Sequence, residues 1–185
     1  MRSYNLTLKI SKIEALLLDV DGVLTPGDIW YSDSGDQFKS FDVKDGLSIA
    51  ALRELKMKIG IITGKHSDLV GRRAGELNIS DLYQNSPNKI PAFEDFMAKH
   101  GLVDEQVAFV GDDVIDAPVM ARCGFSACPS DASAIAKRTA DWVSRYPAGH
   151  GAVREIAEII IAAKTGEYPP DRFFLKWVEN LPERR

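Results

Sequence analysis

The chain predicts an α/β fold: three layers, with a parallel sheet covered by helices on both faces and a β-hairpin flap after the first strand. Three observations carry that expectation. Short β-type apolar runs alternate with helical patterns along most of the 185 residues, the arrangement that builds a parallel sheet. The runs themselves are apolar, as strands buried on both faces are. Three of them close on residues able to do chemistry, Asp19, Thr63 and Asp112, and ligands of such sheets sit outside the carboxyl ends of the strands.

The elements follow in order. A strand is expected near 14–20, built on Ala15-Leu16-Leu17-Leu18 and running into Asp19-Val20-Asp21-Gly22-Val23-Leu24-Thr25. Side chains at i and i+2 of a strand share a face, so Asp19 and Asp21 emerge together. Two acids there are costly unless a metal, a shared proton or an anionic substrate uses them. Gly22 lets the backbone turn without a Cβ clash. A lone acid pair after a strand is often only a loop start or a helix cap, so the later segments decide.

A hairpin comes next, over about 26–43. Asp28-Ile29-Trp30-Tyr31-Ser32-Asp33 and Gln37-Phe38-Lys39-Ser40-Phe41-Asp42 flank Ser34-Gly35-Asp36, β-rich arms about a glycine-containing turn. Trp30, Tyr31, Phe38 and Phe41 are more aromatic surface than a free flap should expose. Either they pack on their own domain or hairpins of several subunits pack together.

A helix near 45–56 leads to a strand near 58–62 that ends in Thr63-Gly64. A helix near 66–77, a strand near 81–84 and a helix near 89–100 follow, the last opening at Asn88-Lys89. A strand near 106–110 runs into Gly111-Asp112-Asp113-Val114-Ile115-Asp116, with a helix near 113–121. Strands near 124–127 and 140–143 and helices near 132–138 and 151–164 complete the alternation. Pro169-Pro170 then breaks the pattern, and Phe173, Phe174 and Trp177 recur at helical spacing. A short separate helix is expected there, packed on its own subunit or a neighbour. The expected organisation is one domain over 1–164 and a C-terminal extension over 165–185.

Hydrophobic residues make up 45% of the chain and the net charge is −4. The first is enough for a conventional core and excludes disorder throughout. The second leaves no electrostatic footprint for nucleic acid. No apolar stretch nears the roughly 18 residues that span a bilayer, and the segment from Met1 to Lys12 lacks a signal-peptide core. Cys123 and Cys128 have no further cysteine with which to form a zinc set and read as buried free thiols. A reducing cytoplasm is the expected compartment.

In order and spacing, the acid pair, Thr63, Lys89 and the acidic cluster at 111–116 resemble the four motifs of the haloacid dehalogenase superfamily of aspartate-nucleophile phosphatases. The resemblance implies a Rossmann-like sheet. Larger members carry a cap domain, and no large inserted cap domain is visible here, so a neighbouring subunit is the expected means of closing the pocket. Asp19 is the expected nucleophile: an unperturbed carboxylate, with a pKa of about 3.9, is ionised at neutral pH and needs no base. A divalent cation would cancel its repulsion from a phosphate, and an all-oxygen site suits Mg²⁺. Asp112 is the expected second carboxylate ligand, and the resemblance adds the backbone carbonyl of Asp21. The Asp21 side chain is then free to protonate the leaving oxygen and later to activate water. Thr63 and Lys89 should grip the phosphoryl oxygens, with Gly64 allowing close approach. Asp116 is expected behind them as a partner for Lys89 or the metal waters, and Asp113 either there or as a helix cap.

Within the superfamily, residues from about 14 to 163 are similar to the cap-less tetrameric phosphatases that act on 3-deoxy-D-manno-octulosonate 8-phosphate. Phe41-Asp42-Val43-Lys44-Asp45-Gly46, Leu82-Tyr83-Gln84 and Gly149-His150-Gly151-Ala152-Val153-Arg154-Glu155 carry this closer likeness, together with the four motifs. It implies a small phosphorylated sugar acid as substrate and a role in lipopolysaccharide precursor synthesis. It also implies a homotetramer whose hairpins and tails close neighbouring active sites. The substrate segment maps onto Asp42, Val43, Lys44, Asp45 and Gly46, and Lys44, Lys65 and Arg73 are candidate cations for the acid end. Lys65 stands where the family usually has Arg, and a point-charge amine cannot reproduce a bidentate grip on a carboxylate. A nine-carbon acid 9-phosphate or another small phosphate ester stays open as substrate. A non-catalytic phosphoacceptor module stays open more distantly, although such modules carry no DxD on the first strand.

Overall fold

The computed structural model describes residues 2–35 and 37–181. Met1, Asp36 of the expected hairpin turn and residues 182–185 of the expected extension lie outside them. In chain order the first half contains α1 (Arg2–Ser11), β1 (Ala15–Leu18), β2 (Trp30–Tyr31), β3 (Gln37–Phe38), α2 (Val43–Glu54), β4 (Lys58–Ile62), α3 (Asp68–Glu76) and β5 (Asp81–Tyr83). The second half contains α4 (Ile90–His100), β6 (Val107–Val110), α5 (Ala117–Arg122), β7 (Phe125–Cys128), α6 (Ala134–Thr139), β8 (Trp142–Val143), α7 (Ala152–Thr165) and α8 (Asp171–Glu179).

Six strands form one sheet in the order β5-β4-β1-β6-β7-β8, every neighbouring pair parallel. β1 lies inside it and all four of its residues are buried. The two-residue period of the strand splits them between two cores. Leu16 and Leu18 face a layer that includes Ile49 and Leu52 of α2 and Ile156 and Ile160 of α7. Ala15 and Leu17 face Phe93 and Phe96 of α4 and Val119 of α5. Each buried Leu contributes about 1.5–3 kcal/mol relative to exposure. A polar substitution anywhere in β1 would therefore enter one core or the other. β4 pairs on one side of β1 and β6 on the other, so the topology reverses at β1 and opens a crevice at its carboxyl end.

Three elements differ from their expected form, and α8 takes the one expected of it. The N-terminal segment is helical: Leu6, Ile10 and Ile13 fall at helical spacing and pack into the same core as α7. α5 begins at Ala117 rather than near 113, with Pro118 in its first turn, where a missing N–H costs nothing. The hairpin is shorter than its β-rich arms suggest, two residues in each strand, with Trp30 opposite Phe38 and Tyr31 opposite Gln37. Of its aromatic residues, Trp30, Tyr31 and Phe38 stay exposed, while Phe41 packs against the core beneath the Arg73 guanidinium. α8 turns back onto its own chain, with Trp177 buried and Phe174 stacked under Arg154, 4.2 Å from guanidinium carbon to ring centroid. Among the described residues no helix is long and apolar enough to cross a membrane.

Candidate active site

Asp19 follows β1 directly, and its backbone N–H donates to the Val110 carbonyl of β6, so its position is fixed by the sheet. Its side chain is 6% exposed and meets the Lys89 ammonium at 2.7 Å. Lys89 is itself fully buried and reaches Asp116 at 2.5 Å. A buried ammonium is costly unless paired, and two carboxylates from different elements provide that pairing. Asp116 also accepts from the backbone N–H groups of Asp112 at 2.9 Å and Asp113 at 3.1 Å. One carboxylate thus shapes the loop after β6 and orients Lys89. Gly111 is needed for this, since a Cβ there would lie 2.4 Å from that of Asp116.

Asp112 completes the group. An oxygen from each of Asp19, Asp112 and Asp116 lies within 4.8 Å of the others. Burial pushes the Asp112 carboxyl up to about 8, reinforced by Asp19, Asp116 and Asp113. Burial also raises Asp19, to about 6, with Asp116 adding to the rise and Lys89 opposing it. The site therefore carries more negative charge than Lys89 alone offsets, which is what a bound divalent cation corrects. The donors are all oxygen, so Mg²⁺ fits. Because Asp116 is taken up by Lys89 and the loop, Asp19 and Asp112 are the carboxylates open to a metal.

The Asp21 side chain is held by the hairpin and by its own loop. Its Oδ1 pairs with Lys39 of the hairpin and lies 3.5 Å from the Thr25 hydroxyl. Thr63 follows β4 and is buried, its N–H donating to the Tyr83 carbonyl. A cavity of about 130 Å³ is lined by Asp21, Tyr31, Lys39, Thr63, Lys65 and His66, among others. A second, of about 190 Å³, lies beside Asp21, Gly22, Asp112 and Asp131. Gly64 sits next to Thr63, and a Cβ there would meet Ile115 and Pro87 only at 3.8 Å, an ordinary contact.

The structure brings Asp19, Asp21, Thr63, Lys65, Lys89 and Asp112 to one end of the sheet. It does not bring 42–46 or Arg73 into either cavity beside Asp21. Asp42 caps α2, its Oδ1 accepting from Lys44 N–H. Val43 and Lys44 are exposed, and Asp45 is buried against the start of α7. Gly46 lies under Arg73, which donates to the Asp42 carbonyl at 3.3 Å. Asp113 accepts from the Val114 N–H at 2.7 Å and does not cap α5, which starts later.

Sequence reasoning missed Lys39, Tyr31 and Gln37. Strand parity could have found them: Ile29, Tyr31, Gln37 and Lys39 share one face of the hairpin and all line the cleft, while Trp30 and Phe38 share the other. Cys123 and Cys128 are free and buried as expected, and burial raises their thiols to about 12 and about 11.

The pattern of the haloacid dehalogenase-like hydrolase family matches residues 36–156, about two thirds of the chain. The chain belongs to the haloacid dehalogenase-like hydrolases. Among this family's members, the 3-deoxy-D-manno-octulosonate 8-phosphate phosphatase of Escherichia coli strain K12 is 40% identical over 162 residues, 88% of this chain and 86% of that one. The crystal structure of the Yersinia pestis phosphatase of the same name superposes with a TM-score of 0.84 at 38% identity, covering 86% of each chain. The Moraxella catarrhalis phosphatase, crystallised with magnesium, phosphate and the sugar acid KDO, gives a TM-score of 0.88 at 32% identity. That match covers 94% of this hydrolase and 98% of the Moraxella chain.

Proposed function

We propose that the chain is a Mg²⁺-dependent phosphatase that hydrolyses 3-deoxy-D-manno-octulosonate 8-phosphate to the free sugar acid and phosphate. The observation that carries this reading is the buried Asp19–Lys89–Asp116 relay with Asp112 beside it, in a chain similar to a phosphatase crystallised with magnesium, phosphate and KDO.

Asp19, Asp112 and the backbone carbonyl of Asp21 would hold the Mg²⁺. When bound, it supplies positive charge that screens the phosphoryl group from the carboxylates. Lys89 engages Oδ1 of Asp19, which leaves Oδ2 to attack phosphorus. As the Asp19–phosphorus bond forms, the ester P–O bond breaks, and Asp21 gives its proton to the departing alcohol oxygen. Thr63 and Lys89 donate to the phosphoryl oxygens as charge spreads over them. Asp21 then takes a proton from water, which attacks the aspartyl-phosphate and releases phosphate and Asp19.

The chain forms a homotetramer in this reading, with hairpins and tails closing neighbouring clefts. The exposed Trp30, Tyr31 and Phe38, and Val43 at 80% exposure, support it. Residues 1–164 act as the catalytic unit and 165–185 as an extension. The two buried free thiols fit a cytoplasmic setting.

Phosphate release with Mg²⁺ tests the reading, using a panel of the eight-carbon acid 8-phosphate, nine-carbon acid 9-phosphates and hexose phosphates. Selective turnover of the first is expected. A nine-carbon preference would overturn the substrate assignment while leaving the chemistry in place. Asp19→Asn should abolish turnover of every substrate with the fold intact by circular dichroism, and turnover near that of the wild type would remove Asp19 as nucleophile.

A further inference from the structure

Lys39 holds the side chain that the proposed mechanism needs free. Its ammonium pairs with Oδ1 of Asp21, the oxygen that also faces the Thr25 hydroxyl. Its side chain is only 7% exposed, so this lysine is not a solvated surface charge. It follows β3 of the hairpin directly and lines the cleft with Tyr31 and Gln37. Asp19, Asp21, Asp112, Asp113 and Asp116 crowd this end of the sheet, and Lys89 is committed to two of them. Lys39 is the second cation to reach the group. Lys65, exposed and without an ion pair among the described residues, lines the same cavity. The cavity beside Asp21 thus has two cations in its lining, Lys39 and Lys65, the first already occupied by an enzyme carboxylate.

We infer that Lys39 is a specificity-determining residue: its ammonium rests on Asp21 in the free enzyme and passes to the anionic end of the substrate, which releases Asp21 to meet the leaving oxygen. The exchange is one carboxylate for another on the same ammonium, so its cost is small when the incoming group is an anion and large when it is not. A phosphate ester with a second negative group would therefore be selected twice, once by attraction and once by freeing the catalytic group. A neutral alkyl phosphate would leave Lys39 on Asp21. This inference rests on the proposed role of Asp21.

The test compares kcat and KM of wild type, Lys39→Met and Lys39→Arg on two Mg²⁺-supported substrates, 3-deoxy-D-manno-octulosonate 8-phosphate and glycerol 3-phosphate. Both release a primary alcohol, so leaving-group chemistry is matched. In Lys39→Met the preference for the sugar acid ester, as a ratio of kcat/KM values, should fall by about tenfold or more. KM for the sugar acid ester should rise while kcat on glycerol 3-phosphate also rises, because Asp21 is no longer held. A merely structural lysine would lower both substrates by the same factor, and that result, or an unchanged ratio, would overturn the inference. Lys39→Arg keeps the charge and should retain most of the preference; equal behaviour of the two variants would show that charge is not the agent. Wild type that turns over neither substrate would overturn the proposed function itself.

Discussion

A Cβ built on Gly22 would lie 2.1 Å from Oδ2 of Asp112, and the residue sits at φ +86°. Two independent constraints, left-handed backbone and close approach, fall on the one residue between the acid pair and the rest of its loop. Gly22→Ala would cost about 1–3 kcal/mol of backbone strain and push Asp112 away from Asp19. A displacement of about 1 Å at a reacting centre can cost about 10²-fold in rate, so kcat should fall by that order while the thermal unfolding midpoint drops by about 2–12 °C. An activity within twofold of wild type would show that Asp112 has room to yield. The acids, Thr63 and Lys89 were legible in the sequence because each stands at the end of an apolar run or at the start of a helical one, in a fixed order. Lys39 was not: a lone lysine on an aromatic hairpin reads as a solvated charge. Only the pairing of Tyr31 with Gln37 shows which face it shares. Asp45 shows the opposite case, since a motif that looks like a substrate segment also carries a carboxylate hydrogen-bonded inside the fold.

That carboxylate joins two elements. Asp45, in the first turn of α2, accepts from the Arg154 N–H of α7 at 2.8 Å, while its Oδ2 is buried without a hydrogen-bond partner. Burial raises its pKa to about 6, with Asp42 adding to the rise and Arg154 N–H, Gly151 N–H and His150 opposing it. A carboxyl whose folded pKa lies above its unfolded value favours the native state in its protonated form. Its contribution is complete below about pH 4 and is lost as pH rises through about 6. Asp45→Asn removes this titration and leaves a pH-independent offset. Urea unfolding of both proteins should therefore show the variant gaining on the wild type between pH 4 and 7.5, by up to about 3 kcal/mol. A constant difference across that range would mean that Asp45 is solvated in the native state. At the far end of the chain, Trp177 anchors α8, and Trp177→Ala should cost about 3 kcal/mol in the same assay without raising KM, because α8 lines neither cavity beside Asp21. The helical spacing of Phe173, Phe174 and Trp177 made α8 readable in advance. α1 was not, because its Leu6 and Ile10, with Ile13 just beyond, have meaning only against α7.

At the scale of the whole molecule, the parallel sheet was legible in the alternation of apolar runs, and the crevice at β1 follows from its strand order. How the crevice is covered was expected only through the family resemblance, because no run of residues in one chain encodes a neighbour. The hairpin leaves Trp30 at 64% and Phe38 at 57% exposure, paired on the face turned from the cleft. Val43 at 80% and Leu47 at 45% add to the exposed apolar surface at the start of α2. Large aromatic side chains left in water are unfavourable unless something covers them, and the proposed tetramer supplies the cover. Trp30→Glu combined with Phe38→Glu would put like charges where two hairpins meet and leave the cleft-facing Tyr31, Gln37 and Lys39 in place. Sedimentation velocity should then report a species smaller than the wild-type assembly. Turnover of the sugar acid ester should fall with it, since the cleft loses its neighbour, while thermal unfolding of the single chain stays cooperative. If the double variant keeps the wild-type mass, the hairpin face is not the contact. If it keeps wild-type turnover as a monomer, one chain closes its own cleft and the neighbour has no part in catalysis.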